Sequence, residues 1–195
     1  DMLELDKWAV TRLNGLIEKV FSWYDNYKFH AISHAINDFC VIDLSSFYFD
    51  IIKDRLYCDG ADSLSRRSAQ TALFLILDDG RNVLLNEMSK PYTAYALSED
   101  EMTKWARIAA VRNVVNGALE QARADKTIGK SLEAEVDLVV PHEDVFLAEM
   151  DPAALADTLI VSQVRVAEGD ELSVEVRPAN GCKCGRCWKV LPTVG

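Results

Sequence analysis

The two cysteines whose spacing most suits chemistry are Cys184 and Cys187, in GCKCGRCWKVLPTVG at the end of the chain. A C-x-x-C turn lets two thiolates face one ion while nearby amides support the sulfurs, which is the arrangement of a structural zinc site. Such a site needs four ligands. Cys182 is too close to Cys184 for an ordinary knuckle, so the pair reads as half a zinc ribbon. The competing reading, a thiol-redox pair, wants a strand-to-helix junction, and nothing helical follows. Cys40 and Cys58 fall on a helical pattern and are expected to be small buried apolar residues. His30 and His34 share a helix face, but position 31 is alanine and no third ligand accompanies them, so they read as solvated or helix-capping.

Basic residues gather in three places. Lys53 and Arg55 come near Arg66 and Arg67 in sequence; Arg123, Lys126 and Lys130 follow a helix; Lys183, Arg186 and Lys189 surround Trp188. Cations beside an exposed ring suit RNA, because phosphates take the charge and an unpaired base stacks on the ring. For the first group, pairing with Asp43, Asp50 and Asp54 is an equally good reading. Candidate contacts are Lys53, Arg66, Arg67, Lys126, Arg186 and Trp188. No P-loop, G-x-S-x-G or dinucleotide fingerprint is present.

The elements that position these residues are mostly helical. Residues 5–24 carry apolar positions at Leu5, Trp8, Leu13, Leu16, Val20 and Tyr24. Residues 27–60 read as one long helix, apolar on most sides at 39–52, which predicts a bundle wrapped around it. Leu64 to Leu77 is a third helix, capped by Asp62 or Ser63. Residues 81–95 show no period. Ser98 and Glu101 form a capping box for a helix that ends near Lys126 and is stopped by Gly129. The period then changes to two. Strands are expected at 132–140, 161–166 and 172–176, with a short helix opened by Asp151-Pro152. The fold class is therefore mainly α: an antiparallel helical bundle over 1–128, a small α+β junction over 129–178, and a truncated zinc-ribbon knuckle over 179–195.

The chain has 195 residues, 49% apolar content and a net charge of −10. The charge argues against a general nucleic-acid binder but leaves local basic patches open. No membrane span is expected, since Asp43, Ser45, Ser46 and Asp50 interrupt the longest apolar run. The start lacks the basic region of a secretory signal, and helical pattern begins almost at once, so the chain reads as a piece of something longer.

These residues carry a resemblance. LDKWAVTRLN (5–14), DLSSFYFDIIKDRLYCD (43–59), RRSAQTAL (66–73), VRNVVNGALEQARADKTIGKSLEAEVDL (111–138), VSQVRV (161–166) and CKCGRCW (182–188) resemble, in order, the C-terminal part of bacterial-type isoleucyl-tRNA synthetases. The resemblance implies a helical anticodon-binding domain, a small junction and a zinc-binding C-terminus that helps hold isoleucine tRNA. It implies a cytoplasmic, monomeric protein that binds neither DNA nor membrane. The parent enzyme activates isoleucine with ATP; its catalytic and editing domains are not in this sequence, so this piece alone is expected to be inactive. Two departures stand out. The family's apolar, proline-containing stretch after the RRSAQT helix is not in the sequence between Leu77-Asp78 and Asp79-Gly80, which should leave part of the 39–52 face uncovered. The second zinc pair is also missing. Met88-Ser89-Lys90, although similar to a nucleotide-handling motif, belongs on this alignment to the anticodon domain. The rival reading is a protein-docking module built from a helical bundle and a zinc ribbon.

Overall fold

A computed structural model describes residues 2–77 and 90–193. Met88 and Ser89, and most of the stretch read as irregular, lie outside the described residues. The chain forms two compact units, Asp1–Met102 and Thr103–Gly195.

The first unit is helical. Helix α1 (Glu4–Asp25) contacts α2 (Phe29–Asp38), a π-helical segment π1 (Phe39–Tyr48), α4 (Leu64–Leu77) and a 3-10 turn at Thr93–Tyr95. The π segment runs directly into α3 (Phe49–Cys58). The long helix expected from the apolar spacing is thus present, but its middle is wound more widely. Winding with i→i+5 bonds keeps Phe39 and Leu44, five residues apart, both buried, together with Phe47 and Tyr48. The hydroxyls of Ser45 and Ser46 donate to the carbonyls of Cys40 and Val41, each at 2.8 Å. The wrapping is incomplete. Val41 is 51% exposed and Ile42 61%, as expected for a face that lacks a cover.

A buried polar node ties this unit together. Asp6 of α1 has no solvent exposure. Its carboxylate accepts from Tyr48 Oη at 2.7 Å, from Arg55 Nη1 at 3.2 Å and Nη2 at 2.6 Å, and from the Ser68 hydroxyl. Arg55 also donates to Ser65 Oγ at 2.8 Å. One carboxylate therefore joins α1, π1, α3 and α4, and its donors satisfy it without water. Burial first, then the negative charge of Asp6, raises the Tyr48 phenol well above its ordinary range.

Helix α5 (Glu99–Ala124) begins with the expected capping box: Ser98 N–H donates to Glu101 Oε2 at 2.7 Å, and Glu101 N–H donates to Ser98 Oγ at 3.3 Å. In the second unit a three-stranded sheet has the order β2-β1-β3. Strand β1 (Ala134–Val140) runs parallel to β2 (Gln163–Glu168) and antiparallel to β3 (Ser173–Pro178). The parallel pairing needs a crossover, supplied by α6 (Phe146–Glu149) and α7 (Pro152–Leu159). Asp151 caps α7 through Ala154 N–H at 3.1 Å, with Pro152 in the first turn, as the sequence predicts. Val136, Val140, Leu147, Leu155, Leu159 and Val161 form the core beneath the sheet. Asp144, almost wholly buried, is held by Arg107 through Nε at 2.8 Å and Nη2 at 2.6 Å. The chain closes with a two-residue hairpin, β4 (Cys182–Lys183) against β5 (Val190–Leu191).

Candidate nucleic-acid interface

The basic localities of the sequence meet different fates in the first unit. Arg55 is not on the surface; it is the buried partner of Asp6. Lys53 is exposed but paired with Asp50 at 2.8 Å, so the ion-pair reading holds there. Arg66 donates to the Asp59 carbonyl at 3.2 Å, while its Nε is buried without a partner. Arg67 stands exposed on α4, and among the described residues its guanidinium forms no ion pair. The four cations read as one group therefore separate into a core residue, a neutralised surface residue and the Arg66–Arg67 pair.

In the second unit the end of α5 and the knuckle are built from one set of contacts. The helix stops at Ala124, and Lys126 takes the left-handed conformation with φ 60°. Thr127 N–H then bonds back to the Ala122 carbonyl at 2.9 Å. So Lys126, rather than Gly129, supplies the reversal. Gly129 has a different task. Glu133 Oε2 accepts from the N–H groups of Gly129 and Lys130, both at 3.2 Å, and a Cβ at 129 would lie 2.9 Å from that oxygen. Lys183 approaches Glu133 Oε1 at 2.9 Å and, together with those amides, holds the carboxyl below its usual range. Lys126, Arg123, Gly129, Glu133 and Pro178 border a cleft of about 430 Å³.

Trp188 is 54% exposed, and the Lys130 ammonium sits 5.0 Å from its ring centre. A cation over the ring face is attracted by its quadrupole. Trp188 also has a positive φ of 65°. Its N–H bonds to the Cys184 carbonyl at 3.0 Å, while Cys184 N–H bonds to the Lys189 carbonyl at 2.8 Å. Lys189 is itself paired with Asp157. Sequence reading grouped Lys130 with the basic stretch but did not find its ring, because the two are far apart in the chain and joined only by the fold.

The backbone N–H of Cys187, then that of Arg186, lower the Cys184 thiol below its ordinary value, helped by the Cys187 thiol and the Trp188 N–H. Amides directed at that sulfur favour its thiolate form, the form in which a cysteine binds a metal ion. Among the described residues no group of three His, Cys, Asp or Glu side chains could hold an ion. His30 and His34 are exposed. Among the described residues, no helix is long and apolar enough to cross a membrane.

Residues 6–84 match the family described as the anticodon-binding domain of tRNA ligase. Along its whole length the chain is similar to isoleucine–tRNA ligases. It is 36% identical to the enzyme of Caldicellulosiruptor saccharolyticus over 223 aligned positions, covering 100% of this chain and 24% of that protein. Identity to the Petrotoga mobilis enzyme is 37%, covering 98% and 24%, and to the Moorella thermoacetica enzyme 39% over 236 positions, covering 100% and 25%. The chain thus spans about a quarter of the length of these relatives. Alignments longer than 195 residues mean that the relatives carry sequence within this region that the chain lacks.

Proposed function

We propose that this chain is the tRNA-binding, anticodon-recognising portion of an isoleucyl-tRNA synthetase. The observation that carries the reading is similarity to isoleucine–tRNA ligases along the whole chain, with the anticodon-binding family confined to its helical part. Isoleucine tRNA is the partner, and the whole enzyme uses ATP to load it. This portion holds RNA and does not aminoacylate on its own. Arg66, Arg67, Lys126, Arg186 and Trp188 are the contacts we propose, with Lys53 joining them only by leaving Asp50. Functionally the chain divides into a bundle (1–128), a junction (129–178) and a knuckle (179–195). Cys184 and Cys187 supply half of a zinc site in the knuckle. The protein works in the cytoplasm as a monomer, away from DNA and membranes.

The test is binding of isoleucine tRNA over a salt series. Affinity should fall steadily with log salt, by close to one power per phosphate contact. A tRNA with an altered anticodon should bind more weakly. Affinity indifferent to both changes would leave a protein-docking module as the better reading.

A further inference from the structure

The cleft between the start of α1, the face of α4 and the turn at Thr93–Tyr95 is lined by Met2, Lys7, Leu64, Arg67, Thr71 and Tyr95 and measures about 550 Å³. Among the described residues no carboxylate lines it, in a chain whose acids outnumber its bases by 31 to 21. The reason lies one residue away. Asp6 points into the core and is consumed by Arg55, Tyr48 and Ser68, so it cannot neutralise Lys7. Among the described residues neither Lys7 nor Arg67 forms an ion pair, and the Tyr95 hydroxyl has no hydrogen-bond partner. The other hydroxyls are committed. Ser68 donates to Asp6 and accepts from Leu3 N–H at 2.7 Å; Thr71 donates to the Arg67 carbonyl at 2.9 Å. Two cations and a phenol thus remain as free donors around one open cavity.

We infer that this cleft is a phosphate-binding site, with Lys7 and Arg67 giving charge and Tyr95 a neutral hydrogen bond. Arginine supplies a planar fork for phosphate oxygens and lysine a compact point charge, a combination suited to a tetrahedral anion. The inference deepens the RNA-binding reading by making the source of the phosphate an RNA backbone; inorganic phosphate has the same chemistry. The site adds Lys7 and Tyr95 to the interface, on a face set by α1 and α4.

The experiment uses the full chain and the variants Lys7→Gln, Arg67→Gln, their double, and Tyr95→Phe, each checked by circular dichroism. Two probes are used: isoleucine tRNA, read by anisotropy over a salt series, and inorganic phosphate, read by amide chemical shifts. If an RNA phosphate occupies the cleft, each charge removal weakens tRNA binding about tenfold. The double variant then falls by less than the product of the singles and loses close to one unit of salt slope. If the wild type ignores tRNA but phosphate shifts amides around Arg67 and Tyr95, and the double variant abolishes this, the site stands and the RNA reading fails. If tRNA binds the double variant as well as wild type, or neither probe responds to the substitutions, the inference is overturned.

Discussion

Replacing Asp6 with asparagine removes one charge and leaves nearly every atom in place. Arg55 would remain with its side chain only 10% exposed and no counter-ion, facing a neutral amide. The amide oxygen still accepts one or two of the four donors aimed at it, and its nitrogen meets donors where acceptors are needed. Removing one partner of a buried pair costs about 3–5 kcal/mol. With a urea slope of about 2 kcal/mol per M, the unfolding midpoint should fall by about 2 M. Urea titration followed by circular dichroism measures this directly. The second variant, Asp6→Asn with Arg55→Met, removes the stranded charge and should recover about half the loss, because Tyr48 and Ser68 bond different oxygens of Asp6 and one of them now faces the amide nitrogen. Were Asp6→Asn to cost less than about 1 kcal/mol, the view of Asp6 as the pin between α1, π1, α3 and α4 would be wrong.

Trp188→Ala should weaken tRNA binding about 5- to 150-fold, the range of one lost base stack, with stability nearly unchanged; an affinity within twofold of wild type removes Trp188 from the interface. Trp105, only 3% exposed, is a core residue, so its truncation reports on folding instead. Tyr48→Phe tests the phenol in the Asp6 node by pH. The folded state keeps Tyr48 protonated beyond the ordinary value of 10.0, while the unfolded chain ionises there. Its contribution is therefore complete below pH 10 and shrinks above it, by about 1.4 kcal/mol per pH unit. Stability of the wild type should fall more steeply above that pH than stability of the variant, and equal slopes in a urea series would refute the assignment.

Local pattern made most elements readable. The Ser98–Glu101 box, the Asp151-Pro152 start and the change from a period near 3.6 to a period of two from 132 all act within a few residues, where the sequence states its own geometry. The wide winding of π1 was not readable, because Leu44, Phe47, Tyr48 and Ile51 keep a buried face under either winding. Arg55 misled for a related reason. Two residues from Lys53 in the chain, it looked like surface charge, and only the position of Asp6 on another helix draws it inside. The Lys130–Trp188 contact and the Lys7–Arg67–Tyr95 cleft are likewise products of the folded chain. Periodicity locates faces of elements but does not say which face meets which.

Lys126 and Trp188 both hold a backbone shape that glycine adopts without cost and other residues adopt against a penalty of about 1 kcal/mol or more. Folding alone would favour glycine or asparagine at each. If Lys126 and Trp188 contact RNA as proposed, selection on stability and selection on that contact pull in opposite directions at these two positions. In copies of the gene released from RNA binding, 126 and 188 should be among the first to drift, and glycine should be a favoured destination.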